Sequence, residues 1–381
     1  SMLVNSLYNI VDSFFVAKYS AVGLTALSII YPIQLLMVAL ATGTGAGVNI
    51  LISRLDGLGR SKEQHQVIKS GLLLTLFHFL IFAVAGTMLA EFYFQISTDN
   101  LAVAKDGIIY TKIIFIGSLG LFIESICTKI LQARGNMVIP MIAQITGSLL
   151  NIILDLFLIF GLTGFPELGI AGAAIATVIG QWAAMFITLI AVIRKYSLRG
   201  RFQISVCKQI YQNGIGSIVT QSLFTLYIVG LNMILKGFTE DAVTVLGIYY
   251  KIQSFFFIPL LGFQQVLLPL ISYNYGAGKI SRTKDILKFA SIVSCCIMTV
   301  ATMIFFAFPH LLIAIFSTSP ALLNIGSYAL RVISISFIFA GLTIVITSYL
   351  QGIARMQASI FIIVLRQVFL LVPLAWVLHF L

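Results

Sequence analysis

Charge is what this chain has least of: Asp, Glu, Lys and Arg make up 9% of its 381 residues, and only 12 residues are acids. Ordinary soluble domains carry about a quarter charged residues, so a water-soluble globule is excluded. Cysteine is scarce too. The four present, Cys127, Cys207, Cys295 and Cys296, have no metal-ligand spacing and read as packing residues, not as a disulfide framework. Four scattered histidines supply neither a His-Glu-x-x-His set nor a nucleophile with its base, which argues against an intramembrane enzyme. No basic stretch precedes the first apolar segment, so nothing there reads as a cleavable signal peptide, and the start of the first helix is expected to be missing.

What is abundant is hydrocarbon. Hydrophobic residues make up 60% of the chain and the mean hydropathy is +1.06. Apolar stretches of the length needed to cross a bilayer as helix recur near 1–17, 24–51, 68–90, 107–130, 138–162, 169–193, 211–236, 243–271, 286–308, 325–349 and 357–381, eleven in all. They are continuous runs of Leu, Ile, Phe and Ala, so they predict α-helices and not the alternating strands of an outer-membrane barrel. The fold class is an all-α polytopic membrane protein.

The net charge of +11 does not indicate nucleic acid, because the basic residues sit in short connections and form no folded basic face. Arg54, Arg60, Lys62 and Lys69 follow the second span, Arg134 the fourth, and Arg194, Lys195, Arg199, Arg201 and Lys208 the sixth. Lys279, Arg282, Lys284 and Lys288 follow the eighth and Arg355 the tenth. By the positive-inside rule the loops after spans 2, 4, 6, 8 and 10 are expected to be cytoplasmic, in a cell (inner) membrane.

An internal repeat organises these spans. Residues 24–34 align with 243–253 at an offset of 219, with Thr, Leu, Ile, Tyr, Ile and Gln coinciding. The same offset carries Gly57 and Gly59 onto Gly276 and Gly278, and Leu131, Gln132 and Met137 onto Leu350, Gln351 and Met356. Six spans separate equivalent positions, so the halves share one orientation, a parallel repeat about an axis along the membrane normal. Two pseudo-symmetric six-helix lobes are expected, 1–200 and 201–381, with the twelfth helix absent from the second. A monomer is expected, with the lipid bilayer and small organic cations as its partners.

The halves differ where polarity enters. In the fifth span Gln144, Ser148, Asn151 and Asp155 fall on one helical face; in the first, Asn5, Asn9 and Asp12 do the same, with Tyr8 a turn before Asp12. The offset of 219 places Phe224, Ile228 and Leu231, then Leu370 and Leu374, opposite these polar positions. An acid at the bilayer centre costs at least about 2.5–3.5 kcal/mol and is usually kept for ions or substrates. Asp12 and Asp155 both lie past the middle of spans running the same way, so they are expected to share one cavity. Two acids in one such cavity resist double ionisation and would take up a proton or a small cation.

The Asn9-Ile-Val-Asp12 pattern before Phe-Phe-Val-Ala, Tyr31-Pro32, Asn151-Ile-Ile-Leu-Asp155 and Tyr273-Asn274-Tyr275-Gly276-Ala277 together resemble multidrug and toxic compound extrusion (MATE) transporters, closest to the MepA-like and DinF-like branches. The resemblance implies an antiporter that expels organic cations in exchange for H⁺ or Na⁺ by alternating access, and no cofactor beyond that ion. It implies an ion-coupling set of Asp12, Asn151 and Asp155, joined by Asn9 and by a polar residue of the sixth span, Thr177 or Gln181; these positions would also hold Na⁺. The acids that the Na⁺-driven NorM-like branch carries in its second lobe have no counterpart within spans 7 to 11. Candidate substrate contacts are Asp12, Tyr8, Gln34, Gln144, Gln181, Gln253, Phe257 and Gln264, together with Gln265, because organic cations favour aromatic and amide surfaces.

Other polar positions have plainer readings. Glu124 is expected to pair with Lys129, and His78 to be a hydrogen-bonded core residue. Gly43-Thr-Gly-Ala-Gly47 lies inside a span and serves close helix approach, not nucleotide binding. Lys251 and Arg331 would repel a cation if they faced the pathway. A lipid-linked oligosaccharide flippase would need an arginine-rich cavity for pyrophosphate, whereas the polar stripes here are amide and acid. A non-transporting bundle would not need the asymmetric acids.

Overall fold

The computed structural model describes residues 11–12, 14–196, 200–235, 240–316 and 319–371, and no strand occurs among them. After a short helix α1 (residues 14–19) come α2 (Ala21–Gly57), α3 (Ser61–Ser97), α4 (Leu101–Gly117), α5 (Leu119–Ala133), α6 (Val138–Phe160) and α7 (Ile170–Lys195). The second half contains α8 (Ile204–Leu235), α9 (Glu240–Gly276), α10 (Ile280–Ala307), α11 (Pro309–Ala314), α12 (Pro320–Ser334), α13 (Phe337–Gly352) and α14 (Met356–Val364). Among the described residues six helices are long and apolar enough to cross a membrane, or eight when each bent pair is counted as one span. Every expected span meets a helix, the first and last only in part, because residues 1–10 and 372–381 lie outside the described set.

Two features depart from straight spans. Helices α2 and α3 have 37 residues each, about 55 Å of helix at ~1.5 Å per residue. They overrun a hydrocarbon slab of ~30 Å, so the basic stretch after the second span is largely helical. Arg134 caps this end of the fold: it bonds Gln64, lies 3.7 Å from Asp56 and stands 5.1 Å over the Tyr196 ring.

The second departure is a bend in the fourth and tenth spans. Helices α4 and α5 meet at 43°, and α12 and α13 at 45°. At the first bend Ser118 Oγ donates to the Phe115 carbonyl at 2.8 Å; at the second Ser336 Oγ donates to Ile333 at 2.7 Å. A serine hydroxyl that bonds a carbonyl of the preceding turn competes with the helical ladder and bends the helix. The two serines are 218 apart, one short of the sequence repeat, so both halves carry the same device.

By contact the chain divides into residues 1–218 and 219–381. The division falls inside α8, whose first part belongs to the first unit. There Gly43 and Gly47 of α2 lie directly against Gly214, Ile210 and Ile218 of α8, which is the close helix approach expected of that glycine run. His78, 2% exposed, hydrogen-bonds the Tyr211 hydroxyl through Nε2 and is a core residue, its Nδ1 having no partner among the described residues. In the second unit Phe337 anchors an aromatic core, edge-on to Phe305 at 4.9 Å and to Phe257 at 5.3 Å.

Candidate functional site

The polar face of α6 is buried more completely toward its far end. Gln144 is half-buried, Ser148 is 7% exposed, Asn151 2% and Asp155 0%. What covers it is α7, and glycine sets the distance. A Cβ on Gly180 would lie 2.6 Å from the Gly147 carbonyl oxygen and 3.2 Å from the Asn151 Cβ. The two backbones therefore touch, and this register puts Asn151 opposite Thr177, to whose hydroxyl its Nδ2 donates at 3.3 Å.

Helix α1 approaches α6 through aromatic rings. Phe15 and Tyr19 both stand edge-on to Phe160, at 6.2 and 6.1 Å. One turn before Phe15, Asp12 presents its carboxyl group to that of Asp155. Two carboxylates cannot donate to each other. With both acids ionised, neither oxygen of Asp155 receives a hydrogen bond among the described residues, nor do Asp12 Oδ1, Asn151 Oδ1 or Gln181 Oε1. The pocket thus gathers acceptor oxygens from Asp12 and from Asn151 and Asp155 of α6 that lack donors among the described residues, the reverse of how interior polar groups are normally satisfied.

Such a set suits a positive guest. Carboxylate and amide oxygens are hard ligands of the kind that hold a proton or an alkali cation. Among the described residues no group of three His, Cys, Asp or Glu side chains could hold a metal ion.

The expected site residues are distributed as follows. Asp12, Asn151, Asp155 and Thr177 come together in the first unit, with Gln181 one turn along α7. Asn9 and Tyr8 lie outside the described residues. Gln34 is half-buried and turned to the Tyr110 hydroxyl at 3.5 Å. Gln253 and Gln264 are half-buried on α9 in the second unit, and Phe257, 8% exposed, belongs to that unit's aromatic core. Lys251 and Arg331 stand 5.9 Å over the rings of Phe316 and Phe306. The expected pair between Glu124 and Lys129 does not form: Glu124 accepts from Thr128 at 2.7 Å and Lys129 donates to Gln132 at 3.1 Å. Five residues along a helix turn the side chains about 140° apart, too far to face each other. Sequence reasoning missed Gly147, Gly180 and Phe160, although the run Ile170-Ala-Gly-Ala-Ala-Ile-Ala-Thr177 is the kind of small-residue stretch that signals a tight crossing.

A MatE family model matches residues 1–157 and 217–377. The chain belongs to the MATE family. It is 27% identical to an FAD transporter of Shewanella oneidensis, over 97% of this chain and 83% of that protein. It is 26% identical to the multidrug export protein MepA of Staphylococcus saprophyticus, over 99% of this chain and 84% of the relative. Its fold matches an outward-facing multidrug resistance MATE family transporter of the MOP superfamily with a TM-score of 0.91 at 22% identity, covering 100% of this chain and 85% of that one. MATE proteins are membrane-embedded transporters and not enzymes, which places this chain as a multi-pass transport protein.

Proposed function

We propose that this MATE protein is an antiporter that exports small organic cations in exchange for H⁺ or Na⁺, with the coupling ion held by Asp12, Asn151 and Asp155. The observation that carries the reading is the pair of facing carboxylates, one with no exposure and, among the described residues, no donor on either oxygen. Two like charges in a medium of low dielectric favour one bound positive charge, and Asn151 Oδ1 adds a neutral ligand. Competition between that ion and a cationic substrate for the same negative charge couples the two fluxes. A membrane potential of ~100 mV adds about 2.3 kcal/mol per charge moved, roughly forty-fold in affinity, so one ion suffices for useful pumping. The expected orientation has the basic loops in the cytoplasm, and alternating access would expose the pocket to each side in turn.

The test is flux of ethidium in liposomes under an imposed H⁺ or Na⁺ gradient. Wild type is expected to move the dye against its gradient, and Asp12→Asn and Asp155→Asn each to lose gradient-driven flux. Full ion-driven activity in both variants would overturn the assignment.

The Shewanella relative's name favours a second cargo, a dinucleotide. Transport of FAD but not ethidium in the same liposomes would select it.

A further inference from the structure

A groove of about 350 Å³ on the first unit lies between α3 and the start of α8, lined by Leu73, Leu74, Phe77, Phe202, Ile204 and Cys207. Its walls carry no charged or amide group, so nothing in it would hold a polar ligand. Leu73, Phe77, Phe202 and Ile204 are 40, 56, 48 and 77% exposed, and in a multi-pass chain such a surface meets hydrocarbon.

One end of the groove is basic. Gly200 lies directly against the backbone of His65 and Gln66, and the Gln203 N–H donates to Ser70 Oγ at 3.4 Å. Residues 201–202 therefore run alongside the first turns of α3, where Lys69 stands one turn before Leu73. Arg201 sits at the same end, since Gln203 is level with Ser70 and Tyr211 with His78; Lys208 lies a turn further along α8, level with Thr75. The acids closest in sequence are engaged elsewhere: Glu63 pairs with Arg60 at 3.5 Å, and Asp56 with Arg134 at 3.7 Å. None of Lys69, Arg201 and Lys208 makes an ion pair among the described residues.

We infer that this groove is a binding site for an anionic phospholipid, one acyl chain lying against Leu73, Phe77 and Cys207 and the phosphate held by Lys69 and Arg201. An apolar slot takes a chain of any phospholipid; the unpaired cations at its mouth select a net negative headgroup. The site is separate from the carboxylate pocket and does not depend on how that pocket works.

Native mass spectrometry of the detergent-purified chain, titrated with phosphatidylglycerol or phosphatidylcholine, tests it. Wild type is expected to retain several-fold more phosphatidylglycerol. Lys69→Gln combined with Arg201→Gln is expected to bring the two lipids to parity, and Leu73→Trp, which fills the slot from an exposed position, to lower retention of both. Equal retention by wild type, an undiminished preference in the double variant, or displacement of the lipid by excess inorganic phosphate would each overturn the proposal.

Discussion

At the scale of single residues, the pocket's chemistry rests on who donates to whom. Asn151 spends its amide N–H on Thr177, which leaves its oxygen without a donor among the described residues. Thr177→Val would leave that amide unpaired in a buried site, a loss of about 1–3 kcal/mol. The expected outcome is a lower Tm together with weaker ion-driven flux, whereas Thr177→Ser keeps both; a valine variant indistinguishable from wild type in both assays would remove Thr177 from the site. Asp12 and Asp155 were legible in the sequence because an acid in an apolar run has few uses other than function. The Glu124 and Lys129 partners were not, because proximity in sequence says little about which way two side chains leave a helix.

At the scale of elements, glycine decides which helices touch. Gly180→Ala would put a methyl 2.6 Å from the Gly147 carbonyl oxygen, and backbone has to move to relieve it, at about 1–3 kcal/mol. Gly262→Ala, where nothing lies within 4 Å, serves as the comparison. We expect the first to lower Tm and flux and the second to change neither. A loop gives the opposite case. Gly135 has φ 75°, and its repeat equivalent 219 residues on is Ala354, with φ 63°. An L-residue in the left-handed region pays about 1–2 kcal/mol, so Ala354→Gly is expected to raise stability by roughly 0.5–1 kcal/mol after glycine's added freedom in the unfolded chain. A thermal melt in detergent reads it. The spans themselves were legible, since only long apolar runs cross a bilayer. The bends at Ser118 and Ser336 were not, because a serine in an apolar helix looks the same whether its hydroxyl bends the ladder or merely satisfies itself.

At the scale of the whole molecule, the repeat and the charge asymmetry are independent signals of one plan. The parallel repeat was readable because equivalent helices kept their turn chemistry, Gly59 and Gly278 both having φ 72°. The expected orientation can be tested in a variant without the native cysteines. A membrane-impermeant maleimide should label Lys62→Cys in inside-out vesicles alone and Asp99→Cys in right-side-out vesicles alone; the opposite pattern would invert the topology. The place where the unit division cuts α8 escaped the sequence, since a continuous apolar helix gives no sign of which neighbours hold each of its ends.

The two walls of the carboxylate pocket are fastened differently. Between α6 and α7 only hydrogens of Gly147 and Gly180 intervene, which leaves little room for Asn151 and Thr177 to move apart or together. The other wall meets α6 through rings, Phe15 and Tyr19 standing edge-on to Phe160. Any breathing of the chamber, and hence any preference for a guest of one radius over another, falls to the Asp12 wall.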